Sequence, residues 1–382
     1  MAAAAPAPAP TLMEELVVEV LLRFPPDDPA SLVRAALVSK RWCRLVSGRG
    51  FRRRFRERHR AATVLGVLCR MDDHAGLNNG EVSSFVSTGS FRPRRADRRD
   101  WVALDARHGR VLLLLCPLQS IPGFVVWDPV TREEWEVPPS TRCPHAWNAA
   151  LLCAAGGECD HLDCRSGPFL VVVVASIGGR KTYVDLYSSE ANAWTEQASV
   201  QHTGKNANAV DWLLSAGVLL GNSVYFMLRS HKEILEYNLC TLEISKIQLL
   251  PVSDRPNALA ITANGRLGFY MIHNTTVYLW LREANPEGDA RWARTTVIGL
   301  ETLLPAGALM DGVRVVGFVD GVSLIFVQTS NELFAIDLKS QQARKMCERH
   351  SWYTVIPYES FYTPALRAAS TGEEYGVGAS RS

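Results

Sequence analysis

The sequence between residues 110 and 337 repeats one pattern five times, and this repeat limits the possible folds more than any other feature. Each copy has an apolar strand, a turn and a second strand that ends in an aromatic residue or Ile, in most copies just before an acidic or amide residue. The copies align on Trp127, Tyr187, Tyr237, Trp280 and Ile336, with the spacing of propeller blades, roughly 40 to 50 residues plus loop insertions. Because one small antiparallel sheet cannot bury both of its faces alone, the repeat predicts a closed radial array of sheets.

The two ends of this repeat region predict how the ring closes. Weaker strand patterns at 64–69 and 84–87 supply a further blade. Residues 351–356 lie where a closing strand belongs, and we expect them to pair with the early strand at 64–69. Pro357 would confine this strand to the edge of its sheet, since proline has no N–H to donate. We therefore expect about six blades, with seven as the alternative.

Residues 11–60 follow a different, helical pattern. Apolar side chains recur at steps of three and four in the first predicted helix, and they are Leu16, Val17, Val20, Leu21 and Phe24. Pro25 and Pro26 end this helix, Asp28 and Ser39 are placed to cap the second and third helices, and a basic fourth helix follows. A unit of this size buries only about 60% of its unfolded surface, so we expect its remaining apolar surface to bind a partner.

Composition and charge exclude several classes of protein. The 382 residues include 47% hydrophobic and 21% charged side chains, as in ordinary globular proteins. The formal net charge of +2 provides no global field to attract nucleic acid, so nucleic-acid binding is not expected. Nine scattered cysteines, mostly in apolar runs, indicate reduced thiols and a cytoplasmic or nuclear location. The longest apolar stretches fall well short of the roughly 18 residues of a membrane helix, so no membrane span is expected.

Other local features have both a functional and a simpler interpretation. Possible zinc ligands are Cys153, Cys159, His161 and Cys164, with Cys143 and His145 upstream. Their spacing matches no common zinc knuckle, so we expect a metal-free loop between blades. The basic runs at 52–60 and 92–99 are either nuclear-import or phosphate-binding patches or, as charge runs more often are, solvated faces. No phosphate loop, Gly-x-Ser-x-Gly or His-Glu-x-x-His motif occurs, so we expect no catalytic residues and no cofactor.

Residues 12–51 resemble the F-box family in a series of motifs. The motifs are Leu12-Met13, EELVVEVLLRFP at 14–25, Ser31-Leu32, VSKRW at 38–42 and Leu45-Val46. Met13 stands where the family usually has Pro, and the stretch 25–30 is longer than the commonest pattern; we expect these departures to weaken the preorganisation of the first helix without loss of docking. The resemblance implies a small all-α F-box of three to four short helices at 11–60. It also implies binding to a Skp-type adaptor and, through the adaptor, to a cullin.

We expect apolar residues of these motifs to form the adaptor interface. They are Leu12, Leu16, Val20, Leu21, Pro25, Leu32, Val38, Trp42 and Leu45. The alternative is that they form only the internal core of the helical unit. The small size of the unit favours an interface, and we expect Trp42 and Leu45 to serve both purposes.

The rest of the chain resembles the β-rich, kelch-like domains that follow F-boxes in large plant-type families. The matching segments are DARHGRVLLL from Asp105, VVWDPVT from Val125, CDHLDC from Cys159 and SFYTP from Ser360. The predicted organisation is a disordered leader at 1–10, the F-box at 11–60, an all-β propeller-like substrate-binding domain at 61–366 and a disordered tail at 367–382.

The resemblance implies a non-catalytic function. Family members hold a target protein for ubiquitin transfer, so the chain is expected to be the substrate-recognition subunit of a Skp-cullin-F-box ubiquitin ligase with an unknown protein substrate. One alternative is an F-box protein in an assembly that is not a ligase. Another is a propeller enzyme that acts on a small molecule or glycan. Convergent acids or a metal at the propeller axis would favour the enzyme, whereas an aromatic and basic rim would favour protein capture.

Overall fold

The structure is a computed structural model that describes most of the chain. The described residues are 13–26, 28–59, 63–72, 81–89, 91–93, 97–98, 101–115, 123–140, 146–155, 159–161, 164–177, 181–201, 216–228, 233–250, 258–262, 264–284, 290–310, 312–319, 322–348 and 352–360. The predicted leader at 1–10 and tail at 367–382 lie outside these residues. The chain divides into two compact units: one runs from Val64 to Glu359, and the other contains the helical residues up to Thr63.

Four short helices form the first unit, which confirms the predicted helical F-box. They are α1 (Glu14–Leu21), α2 (Pro29–Leu37), α3 (Lys40–Ser47) and α4 (Arg49–His59). One apolar stripe of each helix faces a shared core. This core consists of Val17, Leu21, Leu22, Leu32, Ala35, Ala36, Val46, Phe51 and Phe55. No helix among the described residues has both the length and the apolar character needed to cross a membrane.

The starts of α2 and α3 are fixed by side-chain caps, as the sequence predicts. Asp28 accepts a hydrogen bond from the Ser31 N–H at 3.3 Å, and Pro29 occupies the first turn of α2, where its missing N–H costs nothing. Ser39 Oγ accepts from the Trp42 N–H at 3.1 Å. These caps satisfy N–H groups that have no partner inside the helix, and each contributes about 1 kcal/mol.

The second unit is a six-bladed propeller built from 24 strands in the part of the chain that the structure describes. The strands are β1 (Thr63–Asp72), β2 (Glu81–Ser87), β3 (Asp97–Arg98), β4 (Trp101–Arg107), β5 (Arg110–Leu115), β6 (Gly123–Trp127), β7 (Glu134–Val137), β8 (Ala146–Cys153), β9 (Phe169–Ile177), β10 (Lys181–Ser188), β11 (Ala193–Gln201), β12 (Val218–Leu220), β13 (Ser223–Leu228), β14 (Glu233–Asn238), β15 (Ile244–Gln248), β16 (Ala258–Ile261), β17 (Leu267–His273), β18 (Thr276–Ala284), β19 (Ala290–Gly299), β20 (Arg314–Phe318), β21 (Leu324–Gln328), β22 (Glu332–Asp337), β23 (Gln342–Glu348) and β24 (Trp352–Ser360). Blade 1 has the order β24-β1-β2-β3, and blades 2 to 6 each use four consecutive strands from β4 onward. The prediction of six blades is confirmed, and the alternative of seven is wrong.

The first strand of each blade lies toward the axis of the ring. Segments of β4, β12, β16, β20 and β24 line one central cavity, and β8 is joined to β4 by a hydrogen bond from the Leu151 N–H to Asp105. Strand β24 is therefore the innermost strand of blade 1 and an edge of its sheet, where Pro357 is tolerated. Its pairing with β1 closes the ring, as the sequence predicts.

The core of the propeller lies between successive blades. Separate apolar clusters join blades 2 and 3, blades 3 and 4, blades 4 and 5, blades 5 and 6, and blades 6 and 1. Because neighbours cover both faces of a blade, middle strands such as β5 (RVLLLL) and β9 (FLVVVVASI) are apolar almost without interruption. Trp194 and Trp292 add hydrogen bonds from their indole Nε1 to carbonyls of the preceding blade, at 2.6 Å to Pro138 and 2.8 Å to Gln248.

The polar residue after an aligned repeat position makes the turn from the third to the fourth strand. Asp128 Oδ1 accepts hydrogen bonds from the N–H groups two and three residues later, at 2.8 and 3.0 Å. Asn238 and Asp337 make the same pair of bonds in blades 4 and 6. Four residues after each of them lies a residue with positive φ, at 70°, 60° and 52° for Arg132, Leu242 and Gln341. Side-chain-stabilised turns of this kind are the physical basis of the repeat.

Candidate functional site

Helix α1 has apolar side chains on its outer surface as well as toward the core. Val17 and Leu21 are only 3% and 0% exposed, whereas Leu16 and Val20 are each 55% exposed. Leu16 and Val20 lie four residues apart and therefore share one side of the helix. Met13, three residues before Leu16, is 66% exposed and extends this side toward the start of the helix.

A second pair of exposed apolar side chains lies at the junction of α2 and α3. Leu37 and Val38 are 70% and 68% exposed. Arg41 at the start of α3 forms an ion pair with Glu14 at the start of α1, with Nη2 to Oε2 at 3.6 Å, so this junction lies beside the first turn of α1. We define the exposed apolar face of the helical unit as Met13, Leu16, Val20, Leu37 and Val38.

The residues predicted to bind the adaptor fall into several groups. The exposed members are Leu16, Val20, Pro25 and Val38. The members inside the helical core are Leu21 and Leu32, and those half-buried against it are Trp42 and Leu45. Leu12 lies outside the described residues. The residues predicted to bind the adaptor do not include Met13 and Leu37: the three-residue step from Leu16 could have identified Met13, but the exposure of Leu37 depends on where α2 ends.

The basic run on α4 makes contacts within the helical unit. Arg53 pairs with Glu57 at 2.8 Å, and Arg58 contacts Glu19 of α1 at 3.4 Å. Arg56 is only 4% exposed. These contacts agree with the interpretation of the run at 52–60 as a solvated face of α4, and import or phosphate binding by either basic run remains an untested alternative.

The propeller contains a buried charged network beside its axis. Asp105, 1% exposed, accepts hydrogen bonds from Arg107 Nε at 2.9 Å and from the Leu151 N–H of the next blade at 2.8 Å. Arg107 also donates to the carbonyl of Gly217 in blade 4. Burial raises the pKa of Asp105, and Arg107 with two backbone N–H groups opposes this rise. The Asp105–Arg107 pair thus connects blades 2, 3 and 4, which makes it a structural element of the ring.

The central cavity between the first strands is small. Its volume is about 50 Å³, which holds a few water molecules, whereas ligand pockets usually measure about 300 to 1,000 Å³. The acids that line it are Asp105, which pairs with Arg107, and Glu359. This cavity therefore gives no support to the alternative of an enzyme with an axial small-molecule site.

Cysteine and histidine side chains converge at the junction of blades 2 and 3. Cys153 ends β8, while Cys159, His161 and Cys164 lie in the loop that leads to β9. We call these four residues the Cys/His cluster. Their possible ligand atoms all lie within 4.8 Å of one another, so the irregular spacing along the chain does not keep them apart. Cys143 and His145 lie outside the described residues.

Three contacts attach the β8–β9 loop to the preceding blade. Arg165 Nε lies 2.9 Å from Asp128 Oδ2 in a pair that is almost fully buried. Arg110 donates to the carbonyl of Gly167. The ring of His161 stacks on that of His108, with centroids 4.1 Å apart, and burial lowers the pKa of His108 to about 3, so His108 is neutral at physiological pH.

The comparisons with known proteins agree with this two-unit architecture. Residues 12–54 match the F-box domain model, and residues 102–366, more than half of the chain, match the model described as "F-box protein AT5G49610-like, beta-propeller". The class is therefore an F-box protein with a β-propeller. Within it, the chain belongs to the AT5G49610-like family. No curated protein matches the sequence.

Several solved structures have a similar chain path at very low sequence identity. TolB from Acinetobacter baumannii is 10% identical with a TM-score of 0.47, covering 79% of this chain and 69% of TolB. A chain of a nidogen/laminin complex is 11% identical with a TM-score of 0.42, covering 76% and 97% of the two chains. A putative 6-phosphogluconolactonase from Bacteroides uniformis is 12% identical with a TM-score of 0.43, covering 75% and 83%.

Proposed function

We propose that this protein is the substrate-recognition subunit of a Skp-cullin-F-box ubiquitin ligase. The helical unit binds a Skp-type adaptor, which connects it to a cullin, and the propeller holds a target protein. The observation that carries the proposal is the exposed apolar face of the helical unit, which lies within the residues that match the F-box model. The F-box match itself implies an adaptor of the Skp type.

The distribution of exposed apolar side chains supports this assignment. Of the nine large apolar side chains that are exposed among the described residues, five belong to the helical unit, although this unit is much the smaller of the two. Fully burying one such side chain contributes about 1.5–3 kcal/mol. Covering this face would therefore stabilise a complex strongly, and its exposure in the free protein favours a bound partner.

The buried motif residues contribute to binding indirectly. Leu21 and Leu32 are 0% and 1% exposed, so they hold α1 and α2 in position and do not contact a partner in this conformation. Trp42 and Leu45 are half-buried against the same core and retain surface for contact. The face thus depends on the core beneath it, which is why the motif contains both kinds of position.

Ubiquitin transfer requires no catalytic group from this chain. A receptor that holds its target near a ubiquitin-loaded enzyme raises the effective concentration of the reacting groups, and this alone increases the rate. The architecture of an F-box followed by a propeller is typical of such non-catalytic receptors. We place the protein in the cytoplasm or nucleus, in agreement with its free thiols among the described residues.

The adaptor interface is tested by charge substitutions on the exposed apolar face. In the full-length chain co-expressed with a Skp-type adaptor, Leu16→Asp with Val20→Asp should weaken binding by about 100-fold or more, because each carboxylate would be desolvated in an apolar contact. Val297→Asp is the matched control, since Val297 of β19 is also 55% exposed and lies in the propeller. Equal affinity of the double variant and the control would contradict the proposal.

The ligase function is tested separately from adaptor binding. The double variant should still capture the target through its propeller, but it should no longer promote polyubiquitination in a reconstituted reaction. Proteins captured by both wild type and variant, and ubiquitinated only with wild type, would be the targets. A protein that binds the adaptor normally but supports no ubiquitination of any captured protein would favour the non-ligase alternative.

A further inference from the structure

We propose that Cys153, Cys159, His161 and Cys164 form a structural zinc site that anchors the β8–β9 loop of blade 3. This proposal reverses the expectation of a metal-free loop that the linear spacing supports. It is independent of the proposed ligase function, because it concerns the construction of the propeller.

The distances within the Cys/His cluster suit a tetrahedral zinc ion. The four ligand atoms all lie within 4.8 Å of one another, and Cys164 Sγ is 3.6 Å from His161 Nδ1. Zinc with Zn–S bonds of about 2.3 Å and tetrahedral angles places neighbouring sulfurs about 3.8 Å apart. Small side-chain movements therefore complete the coordination shell, and three thiolates with one imidazole are a common ligand set of structural zinc sites.

The backbone of the loop holds the ligands in this arrangement. The Ala154 N–H donates to the carbonyl of Pro168 at 3.2 Å, which closes the base of the loop. The His161 N–H points to Cys159 Sγ at 3.4 Å, an interaction that stabilises a thiolate. His161 has a φ of 53°, a left-handed conformation that is uncommon for a residue other than glycine.

A bound metal ion would explain why three thiols lie close together in a partly buried position. Cys153, Cys159 and Cys164 are all partly buried, and their sulfur atoms lie within 4.8 Å of one another. Three thiolates this close together need a cation to compensate their charge, and zinc is such a cation.

Arg110 is placed to balance the net charge that a zinc ion with three thiolate ligands would have. Three thiolates and Zn²⁺ leave a net charge of −1, and the guanidinium of Arg110 interacts electrostatically with both Cys164 and Cys153. This guanidinium lies over the rings of Trp135 and Phe169, 5.1 Å from each centroid. A fixed, partly buried cation beside the cluster offsets the charge of the metal complex.

The residues around the ligands orient them, as the neighbours of the ligands do in known zinc sites. His161 stacks on His108 at 4.1 Å, which fixes the plane of its ring. Arg165, next to Cys164, is tied to Asp128 of blade 2 at 2.9 Å. With four protein ligands the site has no open position for a substrate. The ion would therefore act by fastening the loop of blade 3 where it contacts blade 2.

The first test is the zinc content of the full-length protein. Elemental analysis of protein purified without chelators and dialysed against zinc-free buffer should give about one zinc per chain. Cys159→Ser combined with Cys164→Ser should remove it. Cys240→Ser is the matched control, because Cys240 is a free cysteine in a turn of blade 4, and it should retain full zinc content. Wild-type protein without bound zinc, or a double variant with unchanged zinc, would overturn the proposal.

A second test does not depend on the variants folding. Wild-type protein in which cobalt replaces zinc should show the strong visible bands of tetrahedral Co²⁺ and the near-ultraviolet charge-transfer bands of thiolate ligands. Zinc alone should also protect Cys153, Cys159 and Cys164 from alkylation, as read by peptide mass spectrometry, while Cys240 stays reactive. Octahedral cobalt spectra, equal alkylation of the cluster and Cys240, or a disulfide within the cluster in freshly purified protein would each contradict a zinc site.

Discussion

The helical unit and the propeller differ in how completely they bury their apolar side chains. In the propeller, each apolar cluster lies between two successive blades, and the ring closes so that every blade has two neighbours. In the helical unit, a complete core coexists with an exposed apolar face on α1 and at the α2–α3 junction. The propeller thus buries most of its apolar side chains between its own blades, whereas the helical unit leaves a larger share of them exposed for a partner.

Because of this difference, substitutions in the two units should have different effects. Changes in the propeller should alter folding, because its buried groups hold the blades together. Changes on the exposed face of the helical unit should alter binding with little effect on stability, because those side chains already contact solvent. Each prediction below is expected to affect one unit and spare the other.

The largest expected effect comes from removing the closing strand. Deletion of residues 351–382 removes β24, including Val355, Ile356 and Tyr358, which are 2%, 1% and 0% exposed, and the hydrogen bond from Tyr358 Oη to the Gly109 carbonyl at 3.0 Å. These side chains alone contribute about 1.5–3 kcal/mol each, out of the 5–15 kcal/mol typical of a whole domain. We expect an aggregating propeller, seen by size-exclusion chromatography, and retained adaptor binding.

The matched control is deletion of residues 367–382 only. This shorter truncation keeps β24 and should leave both the oligomeric state and the thermal unfolding of the propeller unchanged. A propeller that remains monomeric and melts as cooperatively without β24 as with it would contradict the role of this strand in ring closure.

Alkaline pH should unfold the propeller selectively. Burial raises the pKa of Tyr225, Tyr237 and Tyr270 to about 12 from an ordinary value of 10. The unfolded chain therefore releases these protons at lower pH than the folded protein, so the stability that they contribute is present below pH 10 and is lost as pH rises toward 12. The loss is roughly 5–8 kcal/mol for three such shifts. Residues 1–63 contain no tyrosine, so the helical unit lacks this source of alkaline instability.

Urea unfolding followed by circular dichroism between pH 8 and 12 measures this difference. Tyr237→Phe provides a check within the propeller, because Tyr237 Oη is buried and has no hydrogen-bond partner among the described residues. At pH 8 the variant should be as stable as wild type or about 1 kcal/mol more stable, and its alkaline loss should be smaller. Equal pH dependence of the helical and propeller transitions would contradict the assignment.

The next effect in size is expected at the charged network beside the axis. Asp105→Asn removes the charge that compensates Arg107, whose side chain is 11% exposed, and should cost about 3–5 kcal/mol of the free energy of unfolding of the propeller. Asp337→Asn is the matched control, because Asn238 already makes the equivalent turn in blade 4, and it should change stability by less than about 0.5 kcal/mol. Similar stabilities of the two variants would show that the Asp105 network does not hold the blades together.

The repeated elements of the propeller could be predicted because they depend on local sequence. All five aligned positions, from Trp127 to Ile336, lie in the third strand of a blade. The pattern is recognisable in the sequence because the turn after this strand needs a short polar side chain in most copies. The closing strand was predictable from its apolar sequence and its place after the last repeat. The outer strands were harder to recognise: β7 reads EWEV with an exposed start, because the fourth strand of a blade faces solvent and lacks an apolar signature.

Two features could not be predicted from the sequence: the proximity of the residues in the Cys/His cluster, and which motif residues of the helical unit are exposed. Two features of the cluster region are the left-handed conformation of His161 and the contact of Arg165 with the preceding blade, and neither has a signal in the linear spacing. In the helical unit, the motif predicts which residues matter without separating the buried Leu21 from the exposed Val20. That separation depends on which side of α1 packs on the other helices.

Hydrogen exchange with and without the adaptor tests most directly the claim that the helical unit is the binding module. We expect addition of a Skp-type adaptor to the full-length protein to slow exchange in residues 13–22 and 33–47, which carry the exposed apolar face, and to leave the strands β1 to β24 unchanged. The variant with Leu16→Asp and Val20→Asp should show no slowing at the same adaptor concentration. Slowing confined to the propeller strands, or unchanged exchange in residues 13–47 of the wild type at saturating adaptor, would contradict the account.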